Sequence, residues 1–126
     1  IEALVEDLNL DIALIRVPIV READGLAMSS RNCYLSPQER ITALSLSRAL
    51  KQALDIIQQG TTSAKVISHL IQQCLLEKGG VEIDYISICD PKSFKEKEQI
   101  CDRTLIALAV KIGKSRLIDN CIIEEF

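Results

Sequence analysis

The hydrophobic period of this 126-residue chain changes at Gly79-Gly80, and that change limits the folds that the chain can adopt. Before the two glycines, apolar residues recur at three- and four-residue steps, the spacing that gives a helix one apolar face. After them come short apolar runs separated by breakers such as Asp90-Pro91, which is typical of strands. Helices followed by consecutive strands predict an α+β fold, in which the helices cover one face of an antiparallel sheet.

Two long helices are predicted before the glycine pair. The sequence from Ser36 to Glu39 has the form of a capping box with proline at the first helical position, so a helix begins there and runs to about Gln59. Gly60 stops it, and a second helix starts at Thr62 or Ser63. The apolar faces are formed by Ala43, Leu46, Ala49, Leu50, Ala53, Leu54 and Ile57 in the first helix and by Val66, Ile67, Leu70, Ile71, Cys74 and Leu75 in the second.

Three strands are predicted after the glycine pair. They cover Val81–Cys89, Thr104–Val110 and Arg116–Ile123. The last two are joined by a hairpin with a glycine turn, and the charged segment Lys92–Gln99 is expected to form a turn with a short helix. The expected fold class is therefore an α+β two-layer sandwich of a three-stranded antiparallel sheet and two long helices.

The first nineteen residues are expected to belong to a different layer. Residues Ile1 to Asn9 read as a short helix, and Asp11–Val17 reads as a strand covered on both faces, ended by Pro18. One helix and one strand are too little for a domain. We expect them to be the tail of an α/β layer and the chain to be a fragment of a larger protein.

Composition excludes several functional classes. The net charge is −3 and no basic block is present, which argues against a nucleic-acid partner. The chain contains no run of eighteen apolar residues, so no membrane-spanning helix is predicted. The five cysteines form no C-x-x-C pair and the single histidine, His69, is expected to be solvated, so no metal site is predicted. Scattered thiols suit a reduced, cytoplasmic protein.

A polar loop, Val20–Asn32, carries the groups suited to gripping a polyphosphate. Gly25 lets the backbone turn, Ser29 and Ser30 offer hydroxyl and N–H donors, and Arg31 offers a guanidinium fork that matches phosphate oxygens. Such donors could stabilise the charge that develops on a leaving pyrophosphate. The alternative is a plain helix-start turn, since serine and asparagine are also favoured helix caps.

Glu22 and Asp24 raise a separate possibility in the same loop. Two carboxylates two residues apart can bind Mg²⁺ together with phosphates. We favour the alternative, in which Asp24-Gly25 forms a turn and Glu22 pairs with Arg21. The later pair Asp119-Asn120 is explained equally well by a strand-end turn or by a ligand.

The chain resembles the pantothenate synthetase (pantoate–β-alanine ligase) family over nearly its whole length. The run Pro18–Asn32 (PIVREADGLAMSSRN), followed by Tyr34-Leu35-Ser36, is similar to the signature of that family. The run Arg116–Asn120 (RLIDN) resembles the family's C-terminal strand, and the segment between the two runs has the expected length. Cys33 departs from the family, which commonly carries a larger, often basic residue there.

The resemblance implies a domain division and a set of site residues. Residues 1–19 would be the last helix and strand of a Rossmann-like nucleotidylyltransferase domain, and residues 20–126 a C-terminal lid domain carrying the ATP-binding loop. Residues Met28 to Arg31 are the counterpart of the Lys-Met-Ser-Lys-Ser loop of class I aminoacyl-tRNA synthetases. The implied catalytic residues are Arg31, Ser29 and Ser30, and the implied ATP-binding residues are Val20, Met28, Ser29, Ser30 and Arg31.

The resemblance also implies the reaction. ATP and pantoate would form a pantoyl adenylate with release of pyrophosphate, and β-alanine would then give pantothenate and AMP, with Mg²⁺ accompanying ATP. A cytoplasmic homodimer is implied for the full-length enzyme. The family's His-x-Gly-His motif is absent, so the chain alone is expected to be inactive. The alternatives are a non-catalytic adaptor or assembly module, the lid of another nucleotidylyltransferase, or one part of a fusion with cytidylate kinase.

Overall fold

Residues 1–124 are described by the computed structural model. The helices are α1 (Glu2–Asp7), α2 (Pro37–Ala43), α3 (Ser45–Gln58) and α4 (Ala64–Leu76), with a 3₁₀ helix over Ser30–Tyr34. The strands are β1 (Val81–Cys89), β2 (Thr104–Ile112) and β3 (Ser115–Ile123), paired antiparallel in the order β1-β2-β3. Helices α3 and α4 pack against each other and against this sheet. The α+β two-layer architecture is confirmed.

The core lies between the two helices and one face of the sheet. Alternate residues of the central strand point into it, as the period of two requires. Burying each such leucine or isoleucine contributes roughly 1.5–3 kcal/mol before entropy is counted. The least exposed large side chains are Leu46 in α3, Ile67, Ile71 and Leu75 in α4, Ile100 before β2, and Ile106, Leu108, Val110 and Ile112 in β2.

The long helix predicted from Ser36 to Gln59 is two helices that meet at Leu44. The predicted capping box is present: Ser36 Oγ accepts from the Glu39 amide and the Glu39 carboxylate accepts from the Ser36 amide. At Leu44, ψ is −14°, and the Leu44 carbonyl accepts from Ser47 Oγ at 3.2 Å as well as from the Arg48 amide at 3.2 Å. A serine hydroxyl that competes for a helix carbonyl bends the helix.

Two further predictions in the middle of the chain are wrong. Val66 is 53% exposed and does not belong to the buried face of α4, which includes Ala64 instead. The segment Lys92–Gln99 contains a turn and no helix. Its backbone makes other contacts in place of helix hydrogen bonds. Asp90 Oδ1 accepts from the amides of Lys92 and Ser93, and Glu96 forms an antiparallel bridge with Cys89 of β1.

The expected strand over Asp11–Val17 is not formed among residues 1–124. The short N-terminal helix is confirmed as α1, and Arg16 pairs with Glu2 of that helix. A strand needs backbone hydrogen bonds from a neighbouring strand, and in the described part of the chain none of β1, β2 and β3 pairs with residues 11–17. The side chains of residues 11–19 are accordingly exposed.

The predicted hairpin between the last two strands is confirmed. Gly113 and Lys114 connect Ile112 to Ser115, and Gly113 has φ of +55°. A positive φ at the first central position is what a two-residue hairpin turn requires, and glycine adopts it without steric cost. Of the helices in the described part of the chain, none is long and apolar enough to cross a membrane.

Candidate functional site

The polar loop folds into a small hairpin of its own. Arg21 and Ala27 form an antiparallel bridge, the Glu22 amide donates to the Leu26 carbonyl at 2.8 Å, and the Met28 amide donates to the Val20 carbonyl at 2.9 Å. Gly25 lies at the turn with φ of +93°, so the turn expected at Asp24-Gly25 is confirmed. The local bonds give the loop a defined shape before any ligand is considered.

An ion pair joins this hairpin to β3. The Arg21 guanidinium donates to both carboxylate oxygens of Asp119, Nη1 to Oδ2 at 2.7 Å and Nη2 to Oδ1 at 3.0 Å. The Asp119 side chain is 2% exposed. Hydrogen bonding to Asp119 raises the pKa of Arg21 above its usual range. The strand-end turn considered for Asp119 is wrong, because Asp119 lies inside β3 with its side chain buried.

A second guanidinium joins the hairpin to α2. Arg40 Nη2 donates to Glu22 Oε2 at 2.5 Å and to Asp24 Oδ2 at 2.6 Å. The hydrogen bond from Arg40 is the first cause that lowers the pKa of both carboxyls; Asn32 adds to it for Glu22 and the Leu26 amide for Asp24. The pairing predicted between Glu22 and Arg21 is therefore wrong, since each side chain has another partner.

Asn32 holds the end of the loop to its beginning. Its Nδ2 donates to Glu22 Oε1 at 2.7 Å and to the Ala27 carbonyl at 3.0 Å, and its side chain is buried. Ser29 is the N-cap of the 3₁₀ helix, with Oγ accepting from the Arg31 amide at 3.2 Å. The helix-cap alternative thus describes Ser29 correctly, and capping leaves the remaining donors of the segment available.

A cleft of about 280 Å³ runs between this loop and β3. Of the residues singled out from the sequence, Met28, Ser29 and Arg31 line it, whereas Val20 and Ser30 are exposed beside it. Within the described residues the Arg31 guanidinium has neither an ion-pair nor a hydrogen-bond partner; the amide of Arg31 alone is engaged. The lining comprises Ile19, Leu26, Ala27, Met28, Ser29, Arg31, Asn32, Leu46, Arg116, Leu117, Ile118, Asp119 and Asn120.

Sequence reasoning missed the residues that support the loop. On the sequence alone, Arg21 is named only as a partner of Glu22, Arg40 is not named, and Arg116 is named only within the resemblance, whereas Arg116 lines the cleft. One signal was available: Asp119 alternates with Leu117 and Cys121 in β3, so the period of two places a carboxylate on the inner face. A buried carboxylate requires a partner, although its identity is not encoded locally.

The carboxylates of the loop do not form a metal centre by themselves. Glu22 and Asp24 already share Arg40, whose single positive charge offsets one of their two negative charges. Over residues 1–124 no group of three or more histidine, cysteine, aspartate or glutamate side chains is placed to hold a metal ion.

The family model described as pantoate-beta-alanine ligase matches residues 1–122. The pantothenate synthetase of Heliobacterium modesticaldum is 50% identical over 124 residues, which are 98% of this chain and 44% of that relative. The pantothenate synthetase of Geobacter sulfurreducens is 46% identical over 125 residues, 99% of this chain and 44% of the relative. The chain thus spans less than half the length of these curated relatives.

Solved structures show the same likeness. Pantothenate synthetase from Thermus thermophilus superposes with a TM-score of 0.88 at 33% identity, over 95% of this chain and 43% of that one. The pantoate-beta-alanine ligase from Francisella tularensis superposes with a TM-score of 0.59 at 26% identity, over 96% of this chain and 37% of that one. The Francisella protein is complexed with "Beta-gamma ATP and Beta-alanine".

Proposed function

The chain belongs to the pantoate–β-alanine ligase family, and from this premise we propose that it supplies the ATP-binding lid of a ligase that joins pantoate to β-alanine. The overall reaction gives pantothenate, AMP and pyrophosphate through a pantoyl adenylate. We assign the pantoate and β-alanine contacts to the part of the relatives' length that this chain does not span. The lid comprises residues 20–126, of which residues 125 and 126 lie outside the described part.

One observation carries the proposal: the Arg31 guanidinium, which has no partner among residues 1–124, lines a cleft beside Ser29. The other arginines of the loop region, Arg21 and Arg40, are both occupied by carboxylates. A cation without a partner beside hydroxyl groups suits an anionic ligand, and a planar fork suits phosphate oxygens in particular.

The role proposed for this chain in the reaction is electrostatic stabilisation of the phosphate charge. Arg31 holds the phosphate chain of ATP and stabilises the negative charge that grows on the departing pyrophosphate, while Ser29 and Ser30 donate hydrogen bonds. Val20 and Met28, both largely exposed, contact the adenine side of the nucleotide. The lid also excludes water from the acyl adenylate, which otherwise hydrolyses.

Magnesium accompanies ATP in the proposed reaction, and we assign it no ligand among residues 1–124. The two loop carboxylates that could bind it are committed to Arg40. A cytoplasmic location and a homodimeric full-length enzyme complete the proposal.

The first test measures nucleotide binding. We expect Arg31→Ala to weaken binding of ATP to this chain about 10- to 100-fold, because a hydrogen bond to a charged group contributes roughly 1.5–3 kcal/mol. Lys92→Ala is the matched control, since Lys92 is an exposed cation that does not line the cleft. Equal affinities of the two variants would remove Arg31 from the site and favour the adaptor alternative.

The second test measures chemistry. In a ligase of the relatives' full length that carries this sequence, Arg31→Ala is expected to slow the pyrophosphate burst by about 10²–10³-fold, because the lost donor acts on the transition state. Rapid-quench measurement of labelled pyrophosphate provides the rate. An unchanged burst would exclude the proposed catalytic role of Arg31.

A further inference from the structure

We propose that Arg21 is a positioning residue, which holds the nucleotide-binding loop in place by clamping it to the buried Asp119 of β3. The inference deepens the proposed function and rests on it for the identity of the ligand. Arg21 does not line the cleft, so its effect on a ligand is exerted through the loop rather than by contact.

Both partners of the Arg21–Asp119 ion pair also make hydrogen bonds to the backbone. The Asp119 carboxylate accepts two hydrogen bonds from the Arg21 guanidinium, at 2.7 and 3.0 Å, and one from the Asn120 amide at 2.8 Å. Arg21 Nη1 also donates to the Gly25 carbonyl at 3.1 Å. The guanidinium therefore connects the sheet directly to the turn of the loop hairpin.

The Arg21–Asp119 pair is connected through the loop hairpin to the residues that line the cleft. Arg21 bridges Ala27 across the hairpin, and the Ala27 carbonyl accepts from Asn32 Nδ2 at 3.0 Å. Asn32 lies in the 3₁₀ helix that carries Arg31, and its amide donates to the Ser29 carbonyl at 3.0 Å. Arg21 and Ala27 are held opposite each other by the flanking bonds from the Glu22 amide to the Leu26 carbonyl and from the Met28 amide to the Val20 carbonyl. Displacing Arg21 is therefore expected to displace the segment from Ser29 to Arg31.

Arg21 is a stronger anchor than Arg40, the guanidinium of α2 that pairs with the loop carboxylates. The carboxylates that hold Arg40 are 30% and 34% exposed, and water can replace that guanidinium. Asp119 is 2% exposed, and a carboxylate buried to that degree needs its cationic partner. Removing the Arg21–Asp119 pair should therefore loosen the loop more than removing Arg40 does.

The experiment compares amide hydrogen exchange and ATP affinity in the same variants of this chain. Arg21→Lys keeps the charge and loses the two-point fork, and Asp119→Asn keeps the shape and loses the charge. We expect exchange at Glu22, Met28 and Asn32 to rise at least 10-fold while the amides of α4 are unchanged, and ATP to bind at least 10-fold more weakly. Arg40→Gln is the control and should give smaller changes.

The outcomes separate positioning from a general structural role. A rise in exchange that is uniform over the loop and α4, or no rise, would overturn the clamp. A local rise with ATP affinity unchanged would overturn the positioning role. Arg31→Ala should weaken ATP binding without altering loop exchange. If the unaltered chain does not bind ATP, the proposed function fails, while the exchange data still decide whether the clamp holds the loop. If Asp119→Asn does not fold, Arg21→Lys alone provides the test.

Discussion

The Glu39 carboxylate, which completes the capping box of α2, lies directly over Gly113 in the turn between β2 and β3. A Cβ added at Gly113 would overlap Glu39 Oε1, and the other oxygen, Oε2, accepts from the Ser36 amide at 2.8 Å. The start of a helix and the tip of a hairpin therefore share one side chain. The contact fixes α2, and with it Arg40, relative to the sheet.

We predict that Gly113→Ala destabilises the chain by about 1.5–3 kcal/mol, as measured by urea unfolding. The φ of +55° is unfavourable for alanine, and the Glu39 carboxylate, which also holds the cap, must shift to make room. Gly79→Ala is the matched control, because Gly79 has φ of +70° with nothing within 4 Å of an added Cβ. Equal losses in the two variants would show that the Glu39 contact is unimportant.

Ser45→Ala should leave the stability unchanged or raise it by about 1 kcal/mol. The Ser45 side chain is 1% exposed, and among the described residues its Oγ has no hydrogen-bond partner. Alanine removes the unsatisfied hydroxyl and favours the helix. Ser36→Ala, which deletes the helix cap, provides the contrast and should cost about 1 kcal/mol. A clear loss of thermal stability in Ser45→Ala would reveal a partner for the hydroxyl.

Acid should loosen the polar loop. The pKa values of Glu22 and Asp24 are lowered in the folded chain, first by the hydrogen bond from Arg40. A lowered folded pKa gives stability that is present above the unfolded pKa, near pH 4, and is lost as the pH falls through the folded value. The double variant Glu22→Gln/Asp24→Asn should show a flatter decline of unfolding free energy between pH 6 and pH 2. Parallel declines in the two proteins would contradict this.

The five cysteines should differ in reactivity. Burial, and then the nearby Asp119 charge, raises the pKa of the Cys121 thiol to about 11, whereas Cys33 and Cys101 are exposed. Iodoacetamide at pH 8 should label the two exposed thiols and spare Cys121 until urea unfolds the chain, as peptide mass spectrometry can show. Labelling of Cys121 at the rate of Cys33 would contradict its burial.

The raised thiol pKa has a consequence for stability. A thiol whose folded pKa lies above its unfolded value favours folding fully below the unfolded pKa, and that contribution is lost as the pH rises toward about 11. Cys121→Ser should lose less stability than the unaltered chain between pH 8 and pH 11, since it has no thiol to ionise. Urea unfolding at the two pH values measures the difference.

Local sequence determined the secondary structure wherever neighbouring residues suffice. The capping box at Ser36, the glycine turn at Gly113 and the apolar faces of the long helices depend on residues within a few positions of each other. The resemblance implies Ser29, Ser30 and Arg31 as site residues, because the motif that carries it is a run of consecutive residues. These features depend on residues that are close together along the chain, so they can be predicted from the sequence alone.

Tertiary structure decided which side chain each charge meets. Arg21 and Asp119 are 98 positions apart, and Glu22 pairs with Arg40 rather than with its neighbour. The missing strand at residues 11–17 has the same origin, because whether a strand has a neighbour to pair with is decided only once the chain is packed. A hydrogen bond or ion pair depends on distance and burial in three dimensions, which spacing along the chain does not specify.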